Sequence, residues 1–168
     1  MKKFKMLGML AVAFTLVLAA VSCKEPGQKE PGQTDADLAD VLEAGEDLSG
    51  TWKVADGSKV YVDYISGSME YATPEKVCSY FTSSASGIGT QDGASVTLED
   101  ETEAEAFFKA LVKNYENNMP TLKSVEAAGG IVDYKLVING ARDKITYITA
   151  FKYTGFGEYD INVTIKKQ

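Results

Sequence analysis

Near its C-terminus the chain alternates apolar and polar residues with a period of two. Tyr159, Ile161, Val163 and Ile165 interleave with Asp160, Asn162, Thr164 and Lys166. Successive side chains of a strand point to opposite faces, so this pattern specifies a β-strand over 158–166 with one face buried and the other wet. Such a strand needs an antiparallel sheet that is covered on one side only. Upstream, β-branched and aromatic runs predict strands near 122–127, 131–138 and 144–153. Asn139-Gly140 and Gly155-Phe156-Gly157 mark turns between them, which makes the segment a meander.

The cover for such a sheet is a helix expected over 103–118. Thr102 with Glu105 forms a capping box, acids crowd the first turn, and Asn118 to Pro120 ends the helix. Phe108, Leu111, Tyr115 and Met119 share one face with Phe107 beside them, a stripe that reads as core. Two shorter helices are expected. Thr34 with Asp37 caps 35–44, where Leu38, Val41 and Leu42 share a face before Gly45 stops the run. Thr73-Pro74-Glu75 opens 74–83, with Val77, Tyr80 and Phe81 on one side. Residues 50–54 and 59–65 read as a hairpin across Asp56-Gly57, followed by strands at 69–71 and 95–98. The Ser, Gly and Asp-rich stretch 83–94 reads as a loop. The expected fold is α+β, an antiparallel sheet of six to eight strands packed by one main helix, with a meander able to curl toward a barrel.

The N-terminus has a different character. Lys2, Lys3 and Lys5 precede an apolar run from Met6 to Val21, the layout of a cleavable secretion signal. Those 16 residues would rise only about 24 Å as a helix, against a hydrocarbon core of roughly 30 Å, which argues against a permanent span. The run ends in Ala20-Val21-Ser22-Cys23, which resembles the lipobox of bacterial lipoproteins, where small residues precede a Cys that is diacylglyceryl-modified and becomes the new N-terminus. Ala20 stands where Leu is usual, a relaxation that some bacterial groups accept. The resemblance implies removal of residues 1–22, lipid on Cys23 and anchoring at the cell envelope. Lys24 rather than Asp after the Cys resembles the enteric signal for the outer rather than the inner membrane. A tandem pentapeptide follows, Lys24-Glu25-Pro26-Gly27-Gln28 and Lys29-Glu30-Pro31-Gly32-Gln33. With no apolar side chain to anchor a core, it reads as a flexible tether over 23–33. A single domain over 34–168 completes the expected organisation.

Composition narrows the chemistry. The formal net charge of -7 becomes -10 once the three lysines of the leader are subtracted, and only one cation, Arg142, is an arginine. Such a domain repels phosphate backbones, so nucleic acid is not an expected partner. The chain has no His, which removes triad and Cys-His catalysis and the commonest metal ligand. With Cys23 consumed as anchor, Cys78 has no partner for a disulfide and reads as a small buried residue. The acidic run Glu99-Asp100-Glu101, with Glu103 and Glu105, reads as first-turn charge on a helix rather than as a calcium loop. No metal or cofactor is expected. Carboxylate pairs have no linear signature, and Asp63 and Asp133 are the acids on strands that would serve an enzyme.

The aromatic residues on the strands supply the candidates for binding, namely Trp52, Tyr61, Tyr134 and Tyr147. Leu48-Ser49-Gly50-Thr51-Trp52, with a strand behind it, is similar to the Gly-x-Trp opening of lipocalin-like domains, where the Trp closes one end of a barrel. The resemblance spans five residues and implies a carrier of a small apolar ligand. The helix at 103–118 departs from that pattern, since such domains place theirs after the last barrel strand. The leading expectation is a membrane-anchored, non-enzymatic domain that binds an envelope or extracellular protein. Carriage of a small apolar ligand is the alternative.

Overall fold

The computed structural model describes residues 34–64, 67–154 and 157–168. The expectations for the leader, Cys23 and the tether lie outside the described residues, as does Gly155-Phe156 of the last turn. The elements run β1 (Ala36–Asp37), α1 (Leu38–Glu43), β2 (Gly50–Val54), β3 (Lys59–Tyr64), β4 (Gly67–Tyr71), α2 (Pro74–Ser84), β5 (Thr90–Asp92), β6 (Ser95–Leu98), α3 (Glu101–Ala127), β7 (Ile131–Ile138), β8 (Lys144–Tyr153) and β9 (Gly157–Lys167). The strand β5 falls inside the expected loop 83–94, and the helix expected at 35–44 shortens to α1, whose cap residue is Asp37 rather than Thr34. The helix expected at 74–83 forms as read, with Pro74 in its first turn and the Thr73 side chain accepting from the Lys76 amide.

All nine strands join one antiparallel sheet. The expected meander supplies its middle, because β7 pairs with β8 over Ile131–Ile138 and β8 with β9 over Lys144–Tyr153. The hairpin expected between 50–54 and 59–65 does not form. Both β2 and β3 pair with the far side of β9, Val54 lying opposite Ile165 and Val60 opposite Ile161. Residues 55–58 bulge out against only two residues of β9. Ala55 donates its amide to the Thr164 carbonyl at 2.8 Å, the Ser58 hydroxyl accepts the Thr164 amide at 3.1 Å, and Gly57 turns with φ +83°. Asp56-Gly57 therefore turns within a bulge, and the eleven residues of β9 are long enough to carry both strands along one edge. Beyond them, β6 and β5 extend from β2, and β4 extends from β3. The sheet does not close into a barrel, since β1 and β5 end the strand order with no ladder joining them.

The alternation of β9 puts Ile161, Val163 and Ile165 on the face that meets the helices, opposite Thr149, Tyr147 and Ile145 of β8. Against this face α3 lays Phe107, Phe108 and Leu111, α2 lays Val77, Cys78 and Phe81, and α1 lays Leu38, Val41 and Leu42. Trp52 meets Phe108 edge-on with ring centroids 5.3 Å apart.

The main helix is longer than expected and starts differently. Its cap is Asp100, whose carboxylate accepts the Glu103 amide at 2.8 Å, while the Glu103 carboxylate accepts the Glu99 amide at 2.6 Å. It continues through Pro120 to Ala127, so the segment 122–127 expected as a strand is helical. Proline in a helix forfeits one hydrogen bond and costs roughly 3 kcal/mol. Continuing the helix carries Leu122 and Val125 onto Phe151, where both are buried, and each contributes roughly 1.5–3 kcal/mol. Burial outweighs the break.

Candidate functional site

The register decides where each candidate aromatic lies. Trp52 is fully buried, its indole N–H donates to the Leu48 carbonyl at 2.8 Å, and the Lys167 ammonium sits 5.9 Å from the ring centroid. Tyr147 is also core, edge-on to Phe81 at 5.3 Å and to Tyr115 at 5.9 Å. The Tyr147 and Thr149 hydroxyls are buried without a hydrogen-bond partner. Burial pushes the Tyr147 phenol up to about 12 and raises Tyr115 and Tyr159 as well. Tyr134 lies on the helix-facing side of β7, opposite Thr149, but stays 39% exposed at the strand edge. Tyr61 faces the other way, with Asp160 opposite it across β9. The four are not gathered into one site.

What the fold does gather is the sheet face that the helices leave open. A cleft of about 330 Å³ lies on it, lined among others by Ile131, Asp133, Ile148, Ala150, Asp160 and Asn162. Ile148 stands opposite Asn162 and Ala150 opposite Asp160, so β8 and β9 form the floor. Lys152 pairs with Glu158 at 2.8 Å and Lys59 with Asp160 at 2.5 Å. Each carboxylate raises the pKa of the lysine it meets, and nearby acids, Asp63 first, raise Tyr61. Two lysines on this face are thus paired with acids across strands, and Ile148 and Ala150 add apolar surface beside them. Ile131, at 74% exposure, borders it.

Sequence reading missed Ile148 and Ala150. The signal was there, because β8 carries apolar residues on its open face as well as its buried one, a departure from the clean alternation of β9. The acids singled out for enzyme chemistry do not meet. Asp133 lies on β7 and Asp63 on β3, with β8 and β9 between them, a separation of about 14 Å at ordinary strand spacing. Cys78, on α2, is buried in the core, and burial raises its pKa, which keeps it a thiol.

A second cleft, of about 360 Å³, opens where the end of α3 meets Tyr153 and is lined by Pro120, Thr121, Ser124, Val125 and Ala128. Among the described residues no three metal-ligating side chains come together, and no helix is long and apolar enough to cross a membrane. The chain matches no family model, no curated protein and no solved structure, which leaves the two faces of its sheet as the guide to function.

Proposed function

We propose that the chain is an exported lipoprotein, anchored at the cell envelope by lipid on Cys23 and more in the outer than the inner membrane, whose domain binds a partner without chemistry. The partner is an envelope or extracellular protein, and the open face of the sheet is the recognition surface. The observation that carries the reading is the cleft with Ile148 and Ala150 on its floor, left uncovered on a sheet whose other face carries the helices. A partly apolar floor rimmed by charges suits a protein interface. The leader and the lipobox-like Ala20-Val21-Ser22-Cys23 support the anchor.

A photo-crosslinking residue placed at Ile148 tests the surface in intact cells of the source organism. A discrete adduct from Ile148, with none from the exposed helix position Lys123, is the expected result. Adducts that do not distinguish the two positions would overturn it. For the anchor, Cys23→Ser should abolish incorporation of labelled fatty acid and release the protein from membranes.

The cleft beside Pro120 and Tyr153 favours a second reading, capture of a small apolar ligand there rather than in a barrel mouth. Native mass spectrometry of protein from its own host separates the readings, since a bound ligand adds mass that organic extraction removes.

A further inference from the structure

One stripe of α3 borders a row of hollows between the helix and the sheet. Leu111, Asn114, Asn118, Thr121 and Val125, with the cap residue Ala128, recur at alternating intervals of three and four and so share one side of the helix. Leu111 and Asn114 line a hollow against Tyr147 that has no room for a water molecule. Asn118 and Thr121 line a cavity of about 70 Å³ against Phe151 and Tyr159. Thr121, Val125 and Ala128 line the cleft of about 360 Å³ against Tyr153. Tyr147, Phe151 and Tyr153 share one face of β8, so helix and strand carry the hollows in the same order, and Thr121 joins the last two into one crevice.

The crevice is polar in its middle and apolar at its end. On the helix side, Asn118 donates its side-chain amide to the Asn114 oxygen at 3.5 Å. On the sheet side, Tyr147 and Thr149 are 3% and 0% exposed, and neither hydroxyl has a hydrogen-bond partner. Burial raises the Tyr147 phenol, while Thr149 and Asn118 lie near enough to pull it back. Burial raises Tyr159 too, and Thr149 opposes that shift as well. The polar groups therefore converge without satisfying one another. Leaving a buried hydroxyl unpaired costs stability, so two of them on one face of a strand call for a role outside the fold itself. Among the described residues, none that lines the three hollows is charged. A charged group entering the crevice would shed its hydration and meet no opposite charge.

We propose that this crevice binds a small neutral amphiphile, with its apolar body in the cleft beside Pro120 and Tyr153 and its hydroxyl or carbonyl oxygen against the Tyr147 and Thr149 hydroxyls. A hydroxyl both donates and accepts, so the pair serves either kind of oxygen. Such a site rests on the second reading above, capture of an apolar ligand at that cleft, and adds the head group and the residues that hold it. Val125 and Tyr153 supply the apolar wall, and the buried hydroxyls supply selection.

Tyrosine-labelled full chain in a mild non-ionic detergent, dialysed against equal free concentrations of each probe, supplies the test through the NMR shifts of Tyr153 and Tyr159. The probes are toluene, benzyl alcohol, benzoate and benzylammonium, which keep one ring and change only the head. Benzyl alcohol should bind about three- to tenfold more tightly than toluene, the worth of one buried hydrogen bond. Benzoate and benzylammonium should bind at least about tenfold more weakly than benzyl alcohol. Tyr147→Phe combined with Thr149→Val should bring benzyl alcohol down to the affinity of toluene and leave toluene unchanged. Both substitutions delete an oxygen that has no partner in the fold, and an unchanged urea transition checks that the variant folds. Ala128→Trp, at the exposed apolar end, should weaken both neutral probes. Equal binding of toluene and benzyl alcohol, charged probes that bind as well as benzyl alcohol, or a preference that survives loss of both hydroxyls would overturn the head-group site and leave apolar capture standing. Binding of neither neutral probe would overturn both.

Discussion

Arg142 is the only arginine in the chain, and it holds together two segments far apart in sequence. Its guanidinium forks onto Glu46, with Nε–Oε2 at 2.7 Å and Nη2–Oε1 at 2.9 Å, tying the turn after β7 to the loop after α1. To do so it adopts φ +56°, so the left-handed position of the turn falls on Arg142 and not on Gly140, where Asn139-Gly140 had suggested it. The hydrogen bond from Arg142 lowers the Glu46 pKa. A depressed carboxylate contributes stability above its unfolded value, and that contribution fades as pH falls through the folded value. Both groups keep solvent contact, so Glu46→Gln should cost no more than about 1 kcal/mol at neutral pH. Urea melts at falling pH should show the difference vanishing below the ordinary carboxylate range. Tyr147 behaves in the opposite sense. Its phenol is raised to about 12, so its contribution is complete below its ordinary value of 10.0 and is lost as pH climbs toward 12. Because its hydroxyl has no partner, Tyr147→Phe should be neutral or stabilising at pH 7 and should blunt the alkaline loss. No sequence pattern marks either residue, since ion pairs and orphaned hydroxyls depend on what the fold brings near.

Elements whose signals are local were legible in the sequence. The strands β7, β8 and β9 and the helix α2 follow from alternation, turn residues and a cap, all within a few residues. Elements set by distant contacts were not. Pro120 ends a helix by local rules, yet α3 passes through it to bury Leu122 and Val125 under Phe151. Pro120→Ala should therefore restore a helical hydrogen bond to the Glu116 carbonyl and stabilise the protein by about 1–2 kcal/mol in thermal melts. A loss of stability would mean that the proline is needed to steer the last turns onto the sheet. Likewise Asp56-Gly57 signals a hairpin, and only the length of β9 explains why the flanking strands line up beside it.

For the whole molecule, the sequence made a one-sided sheet legible but could not say which aromatics lie on which side. Trp52 and Tyr147 are core and Tyr61 is on the open face, a division that rests on registers between strands up to about a hundred residues apart. The two faces make separable demands, which neighbouring residues of β8 can expose. Ile148→Asp should cost no more than about 1–2 kcal/mol while abolishing the adduct from a photo-crosslinking residue placed at Ala150 in the same cleft. Ile145→Asp, three residues away and buried, should cost more than about 4 kcal/mol and prevent a cooperative urea transition. Equal sensitivity at the two positions would mean that the outer face is structural too. The order of the strands also carries a consequence in time. The last of the described strands, β9, lies in the middle of the sheet, with β8 on one side and β2 and β3 on the other. A chain made N-terminus first holds β2 and β3 without their central neighbour until Gly157–Lys167 has emerged. The central part of the sheet, with β2 and β3 in place beside it, forms only once Gly157–Lys167 has been delivered.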